Sequence, residues 1–150
     1  DGKIINYIGD SVMVVYGAPQ KLEDHEIISV RCAIAMREKL KELNQKWDET
    51  EFSRYWKNHG INEITERTGI HTGSVIAGNI GSDRMLQYST IGDTVNVASR
   101  LEQKNKDFDT DILFSQKIYT SLTKDLYDQA NYEGEVSLKG RDTMTRTYSI

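Results

Sequence analysis

Residues 88 to 102, YSTIGDTVNVASRLE, constrain this chain more than any other stretch, because a strand end, a tight turn and a helix follow one another without a spacer. Tyr88 to Ile91 reads as strand, Gly92 as the turn residue, and Asp93 as the N-cap of a helix running from Thr94 to about Gln103. On a helical wheel Val95, Val97, Ala98 and Leu101 form one face, while Asn96, Ser99, Arg100 and Gln103 form the other. Asn96 and Arg100 therefore project together. An amide can orient a sugar or base and a guanidinium can hold phosphate charge, so the pair suits a nucleotide. Taken alone, such a pair reads first as a solvated helix face.

Composition narrows the classes. With 150 residues, a formal net charge of -4 and ordinary hydrophobic content, the chain is expected to form one soluble globular domain. A mildly acidic chain without a Lys/Arg cluster lacks the electrostatic footprint of a nucleic-acid binder. Its one cysteine, Cys32, lies in a helical pattern and cannot pair within the chain, which fits a reducing, cytoplasmic location. No apolar run approaches the length of a membrane span, so any membrane anchor would lie outside residues 1–150. The opening Asp1-Gly2, without Met and directly before a strand, reads as a cut from a longer protein.

Residues 3 to 17, KIINYIGDSVMVVYG, read as a hairpin around Gly9-Asp10-Ser11 with Asp10 at its tip. A carboxylate there is exposed and free to bind a hard cation, and it is also an ordinary turn residue. A helix is expected over 24 to 49, with Asp24 as N-cap and Val30, Ala33, Met36, Leu40, Leu43 and Trp47 as its apolar stripe. Arg37, Glu38, Lys41 and Glu42 would face solvent. Residues 50 to 63 read as an elaborated connection. Residues 64 to 72 read as a strand, followed by SVIAGNIG as a glycine-rich connection or strand continuation. Asn79 follows Gly78 where a P-loop requires Lys, so Gly69, Gly73, Gly78 and Gly81 fit close backbone approach instead. His71 reads as a packed, hydrogen-bonded histidine. Further on, 107 to 111 reads as a turn, 112 to 115 as a strand, and 116 to 126 as one helix. Two strands, about 132 to 138 and 145 to 150, close the chain through Lys139-Gly140-Arg141-Asp142.

GIHTGSVIAGNIGS (69 to 82) and YSTIGDTVNVASRLE, with IGDSVMVVYGAP (8 to 19) upstream and SLKG (137 to 140) downstream, resemble the class III adenylate/guanylate cyclase catalytic domain, with the bacterial adenylate cyclases favoured. The resemblance implies an α+β, ferredoxin-like (palm-like) fold, mostly antiparallel sheet with helices packed on it. It also implies one catalytic domain over 1–150 that lacks the family's first strand and helices, a homodimer with sites at the subunit interface, and an upstream regulatory or sensor domain serving intracellular signal transduction. The implied reaction converts ATP to cyclic AMP and pyrophosphate as the 3′-hydroxyl attacks the α-phosphorus. Two Mg²⁺ or Mn²⁺ ions held by two aspartates would lower the hydroxyl pKa and neutralise the leaving oxygens. Asp10 matches the second of those aspartates. The first lies on a strand that precedes this sequence, so the chain alone is expected to be weak or inactive.

By the same resemblance Arg100 would stabilise charge on the α-phosphoryl group, Asn96 would orient the ribose, and Lys139 would bind phosphate. Asn6 and Ser89 occupy the base-reading positions. At the first, adenylate cyclases typically carry Lys and guanylate cyclases Glu; at the second, Ser belongs to the adenylate pattern. Ser89 thus favours adenine, while Asn6, able to donate and accept, favours neither purine. The alternatives are a catalytically degenerate regulatory or nucleotide-binding module, and a guanylate cyclase.

Overall fold

A computed structural model describes residues 2–82, 85–137 and 144–150, and has an α+β architecture with a four-stranded sheet at its centre. In chain order the elements are β1 (Lys3–Ile8), β2 (Ser11–Val15), α1 (His25–Glu49), α2 (Arg54–Lys57), β3 (Thr68–Ile70), β4 (Ile76–Ser82) and β5 (Met85–Ile91). There follow α3 (Asp93–Phe108), β6 (Ile112–Ser115), α4 (Gln116–Tyr119), α5 (Lys124–Tyr127), β7 (Asn131–Ser137) and β8 (Met144–Ser149).

The central sheet has the order β3-β6-β8-β7, parallel between β3 and β6 and antiparallel elsewhere. β6 is buried at every position, as a continuous apolar run covered on both faces should be. Strand alternation sends its side chains into two cores. Ile112 and Phe114 join Val30 and Ala33 of α1 with Ile118, Leu126 and Tyr148; Leu113 joins Val97 and Leu101 of α3 with Val136. The sheet is therefore sandwiched, α1 on one side and α3 on the other. At roughly 1.5–3 kcal/mol for each large apolar side chain removed from water, these two clusters carry most of the favourable burial.

α3 lies almost on the backbone of β3. A Cβ at Gly69 would fall 2.2 Å from both the Ala98 carbonyl oxygen and the Glu102 nitrogen, so only glycine permits this approach. The far end of α3 is held by Asn105, whose side chain is fully buried. Its Nδ2 donates to the Thr68 carbonyl (3.1 Å) and to the Glu102 carbonyl (3.1 Å), and its Oδ1 accepts from Thr110 Oγ1 (2.8 Å). Asp109, at φ 54°, then turns the chain out of the helix.

β1–β2 and β4–β5 form two separate antiparallel hairpins that share no strand pairing with the central sheet among the described residues. Gly9, at φ 63°, takes the first of the two turn positions in β1–β2, which leaves Asp10 exposed at the tip as expected.

Several sequence expectations are corrected. α3 starts at Asp93, with Gly92 in the cap position, and it continues to Phe108, so part of the expected turn at 107–111 is helical. Asp24 does stand at the cap of α1, but in the left-handed region (φ 57°) and without a side-chain cap bond; its carbonyl accepts from Ile28 N instead (3.0 Å). Met36 is 46% exposed, and Arg37 lies on the covered side, with Nη1 donating to the Ile150 carbonyl (2.6 Å). The buried arc of α1 is centred on Val30 and Ala33, and on the wheel Arg37 falls inside it and Met36 outside. The strand expected over 64–72 is only Thr68–Ile70, and 116–126 is two single turns rather than one helix.

Replacing Asn105 with Leu leaves the Thr68 carbonyl buried without its donor, and is expected to lower unfolding stability by about 2 kcal/mol, read by urea denaturation. A second expectation concerns Glu66, whose Oε1 is buried without a hydrogen-bond partner among the described residues. Desolvation, with the charge of Asp111 adding to it and Arg37 partly opposing it, raises its carboxyl pKa. A carboxyl raised in the folded state costs nothing when protonated in both states, and it penalises folding once pH climbs past the ordinary carboxylate value. Glu66→Gln should accordingly raise Tm at pH 7 to 8, with a gain that disappears towards pH 4.

Candidate active site

The strand-turn-helix stretch is realised as β5, Gly92 and α3, and it positions three of the residues singled out above. Ser89, half-buried, lies opposite Gly78 in the β4–β5 hairpin three residues before Gly92. Asn96 is exposed, and Arg100 is half-buried one turn further along the same flank of α3. Val97 and Leu101 are fully buried on the adjoining flank, while Val95, assigned to that apolar face, is only half-covered because it lies nearly opposite Val97 on the wheel.

Arg100 carries the clearest chemical signal. Its Nη1 is shielded from solvent and has no hydrogen-bond partner among the described residues. A desolvated guanidinium nitrogen left without an acceptor is costly, and a phosphate oxygen is the kind of group that would satisfy it.

Asn6 sits half-buried on β1, paired with Met13. The bulge between Ile4 and Asn6 restores the phase of the strand, so that Lys3, opposite Val15, and Asn6, opposite Met13, share one face of the hairpin. Lys3 reaches out to the other hairpin, its Nζ lying 4.7 Å from the centre of the Tyr88 ring. The strand bearing Asn6 is thereby brought against the strand bearing Ser89. Asp10, at the opposite end of that hairpin, makes no described contact with Asn96 or Arg100. Lys139 lies outside the described residues.

His71 behaves as a packed, hydrogen-bonded histidine: Nδ1 shares a 2.7 Å hydrogen bond with Ser115 Oγ. Sequence reasoning missed the residues around it. Thr72 Oγ1 donates to Glu26 Oε1 (3.0 Å), and Thr94 Oγ1 donates to the Ser74 carbonyl (2.9 Å). Two hydroxyls placed on either side of a glycine in a connecting segment were the available signal.

A divalent metal pair needs several oxygen ligands. Among the described residues no group of three or more His, Cys, Asp or Glu side chains converges, and Asp10 stands alone at its turn. Among the described residues, Asp10 is therefore not accompanied by the further carboxylates that a two-ion centre would need.

With this geometry in view, comparison with known proteins is informative. Residues 1–150 match the family model for the adenylate and guanylate cyclase catalytic domain. Adenylate cyclase 1 of Rhizobium meliloti (strain 1021) is 37% identical over 152 residues, which cover 100% of this chain and 21% of that protein. The adenylate cyclase of Anabaena cylindrica is 28% identical over 150 residues, covering 99% of this chain and 28% of the relative. Among solved structures, the adenylyl cyclase CyaB from P. aeruginosa superposes with a TM-score of 0.76 at 31% identity, over 99% of this chain and 70% of that one. The guanylyl cyclase Cya2 superposes at 0.77 and 27% identity, over 99% and 68%. The chain belongs to the adenylate and guanylate cyclase catalytic domain family, and its fold is the α+β, palm-like cyclase fold. It spans about a fifth to a quarter of the length of these two curated relatives. No helix among the described residues is long and apolar enough to cross a membrane.

Proposed function

We propose that this chain is the catalytic region of an adenylate cyclase acting in intracellular signalling, which converts ATP to 3′,5′-cyclic AMP and pyrophosphate. The observation that carries the reading is the shielded, unpartnered Nη1 of Arg100 one turn from Asn96. In the reaction the 3′-oxygen forms a bond to the α-phosphorus as the bond to the β-phosphate bridging oxygen breaks, so little covalent work falls to the protein and placement and charge dominate. Arg100 meets the charge that develops on the α-phosphoryl oxygens, and Asn96 fixes the ribose. Lys139 is assigned to the phosphates by its place in SLKG, and Asn6 and Ser89 to the base.

Asp10 offers one carboxylate to Mg²⁺ or Mn²⁺, which in this family supplies Lewis-acid activation of the hydroxyl. By the family resemblance, a second carboxylate from outside residues 1–150 would complete the site. A homodimer is the economical assembly: Asp10 shares no described contact with Arg100, and a two-fold axis would set Asp10 of the partner subunit against Asn96 and Arg100 and build two equivalent sites. The unpaired Cys32 supports a cytoplasmic domain.

Asn6 in place of the family's lysine favours a second reading, a nucleotide-binding regulatory domain without turnover. The two are separated by measuring cyclic nucleotide formed with Mn²⁺ and either ATP or GTP, using residues 1–150 and a chain extended by its natural upstream sequence. Cyclic AMP from the extended form, rising more than linearly with protein concentration, is the expected result. No product from either nucleotide would leave the regulatory reading, and cyclic GMP alone would reassign the base. In the active form Arg100→Ala should lower kcat by about 10² to 10³ with a much smaller change in KM. Comparable losses in both would count against its role in the transition state.

A further inference from the structure

Three residues of the segment His71-Thr72-Gly73-Ser74 are tied to three different elements. His71 bonds to Ser115 at the end of β6, Thr72 Oγ1 donates to Glu26 in the first turn of α1, and the Ser74 carbonyl accepts from Thr94 Oγ1 in the first turn of α3. Gly73 lies at the contact itself. A Cβ there would stand 2.7 Å from Thr94 Oγ1, and because Gly73 is not among the glycines with positive φ, the contact rather than the backbone angle requires glycine. On the other side of the contact the chain at Gly92 approaches Ser74 and Val75, with the Gly92 Cβ position 3.3 Å from the Ser74 carbonyl oxygen. The start of α3 is thus gripped by this segment, which is braced in turn against β6 and α1.

We propose that Thr94 and Gly73 form a latch that sets the position of the first turns of α3, so that Thr94 is a positioning residue for Asn96 and Arg100. The inference rests on reading those two residues as substrate-binding. A rigid start matters because Asn96 is one residue past Val95, while the firm anchors of α3 at Gly69 and Asn105 lie opposite Ala98 and beyond. Without the latch the substrate-facing turn would be its least restrained part, and a displacement of a fraction of an ångström is enough to reduce turnover.

The test uses Thr94→Ala, Thr94→Ser, Gly73→Ala and the Gly73→Ala/Thr94→Ala pair, in the protein with its natural flanking sequence. Cyclic nucleotide formation gives kcat and KM, and amide hydrogen exchange is read over residues 93–97 and 112–115. Thr94→Ala and Gly73→Ala should each lower kcat about tenfold with KM changed less than about twofold. Thr94→Ser, which keeps the hydroxyl, should stay near the unsubstituted protein, and the double variant should be no worse than Thr94→Ala, since removing the side chain makes room for the new methyl. Exchange should quicken at 93–97 and not at 112–115. An unchanged kcat in Thr94→Ala, an equal loss in Thr94→Ser, or losses that multiply in the double variant would overturn the latch. If the unsubstituted protein makes no product, the cyclase reading fails by itself, and the latch is judged on exchange alone: faster exchange at 93–97 in Thr94→Ala but not Thr94→Ser supports it, and equal exchange overturns it.

Discussion

The contact on which the rest depends is backbone against backbone, where α3 crosses β3 at Gly69. The two chains approach so closely that the Ala98 carbonyl and the Glu102 amide occupy the space a side chain would need. Side-chain packing between a helix and a sheet leaves some freedom of height and rotation, because rotamers can adjust. Contact without an intervening side chain leaves almost none. Once the height of α3 is set there, Val97 and Leu101 must meet Leu113 and Val136, and the adjoining flank carries Asn96 into solvent and leaves Arg100 half-buried. Asn105 prevents the far end from lifting by exchanging hydrogen bonds with the strand beneath and the turn beyond.

The rest of the site is held by softer means. The strands bearing Asn6 and Ser89 belong to hairpins that share no strand pairing with each other among the described residues. One contact between them is the ammonium of Lys3 over the ring of Tyr88, about 0.5–1 kcal/mol where exposed. Both hairpins also display large apolar residues to solvent, including Tyr7, Ile8, Ile76 and Met85. The helix bearing Asn96 and Arg100 is thus fixed by backbone contact, and the strands bearing Asn6 and Ser89 by side chains.

How much of this was legible depends on the range of the interaction. The β1–β2 hairpin, α1, β6 and the helix after Gly92 were readable because each is written in local periodicity and turn chemistry. Met36 and Arg37 were misassigned since the stripe of α1 was drawn through the apolar residues at three- and four-residue intervals, whereas the sheet beneath selects an arc that includes a charged side chain able to reach Ile150. The helix at 116–126 broke in two because Ser121, Leu122 and Thr123 depart from helical backbone between two short turns, although Ile118 and Leu126 remain buried as the four-residue spacing required. Asn105 was invisible as a core residue: nothing nearby in sequence announces that the Thr68 carbonyl needs a donor. The candidate site was more legible than the packing, because Asn96 and Arg100 are related by one helical turn.

Local sequence also explains why Nη1 of Arg100 has no partner among the described residues. A helix neutralises a cation most readily from three or four residues away, and this chain does so repeatedly: Lys39 with Glu42, Lys41 with Glu38, Lys104 with Asp107, Lys124 with Asp128. Around Arg100 those four positions hold Asn96, Val97, Gln103 and Lys104, so none can supply a carboxylate. The nearest acidic residue in sequence, Glu102, points around the helix to Arg67 (3.6 Å). A guanidinium kept for structure would be expected to carry a partner, because a shielded nitrogen without an acceptor costs stability at every pH where the protein is folded. Here the helix offers no carboxylate at three or four residues' distance, and Nη1 stays shielded and without a hydrogen-bond partner among the described residues.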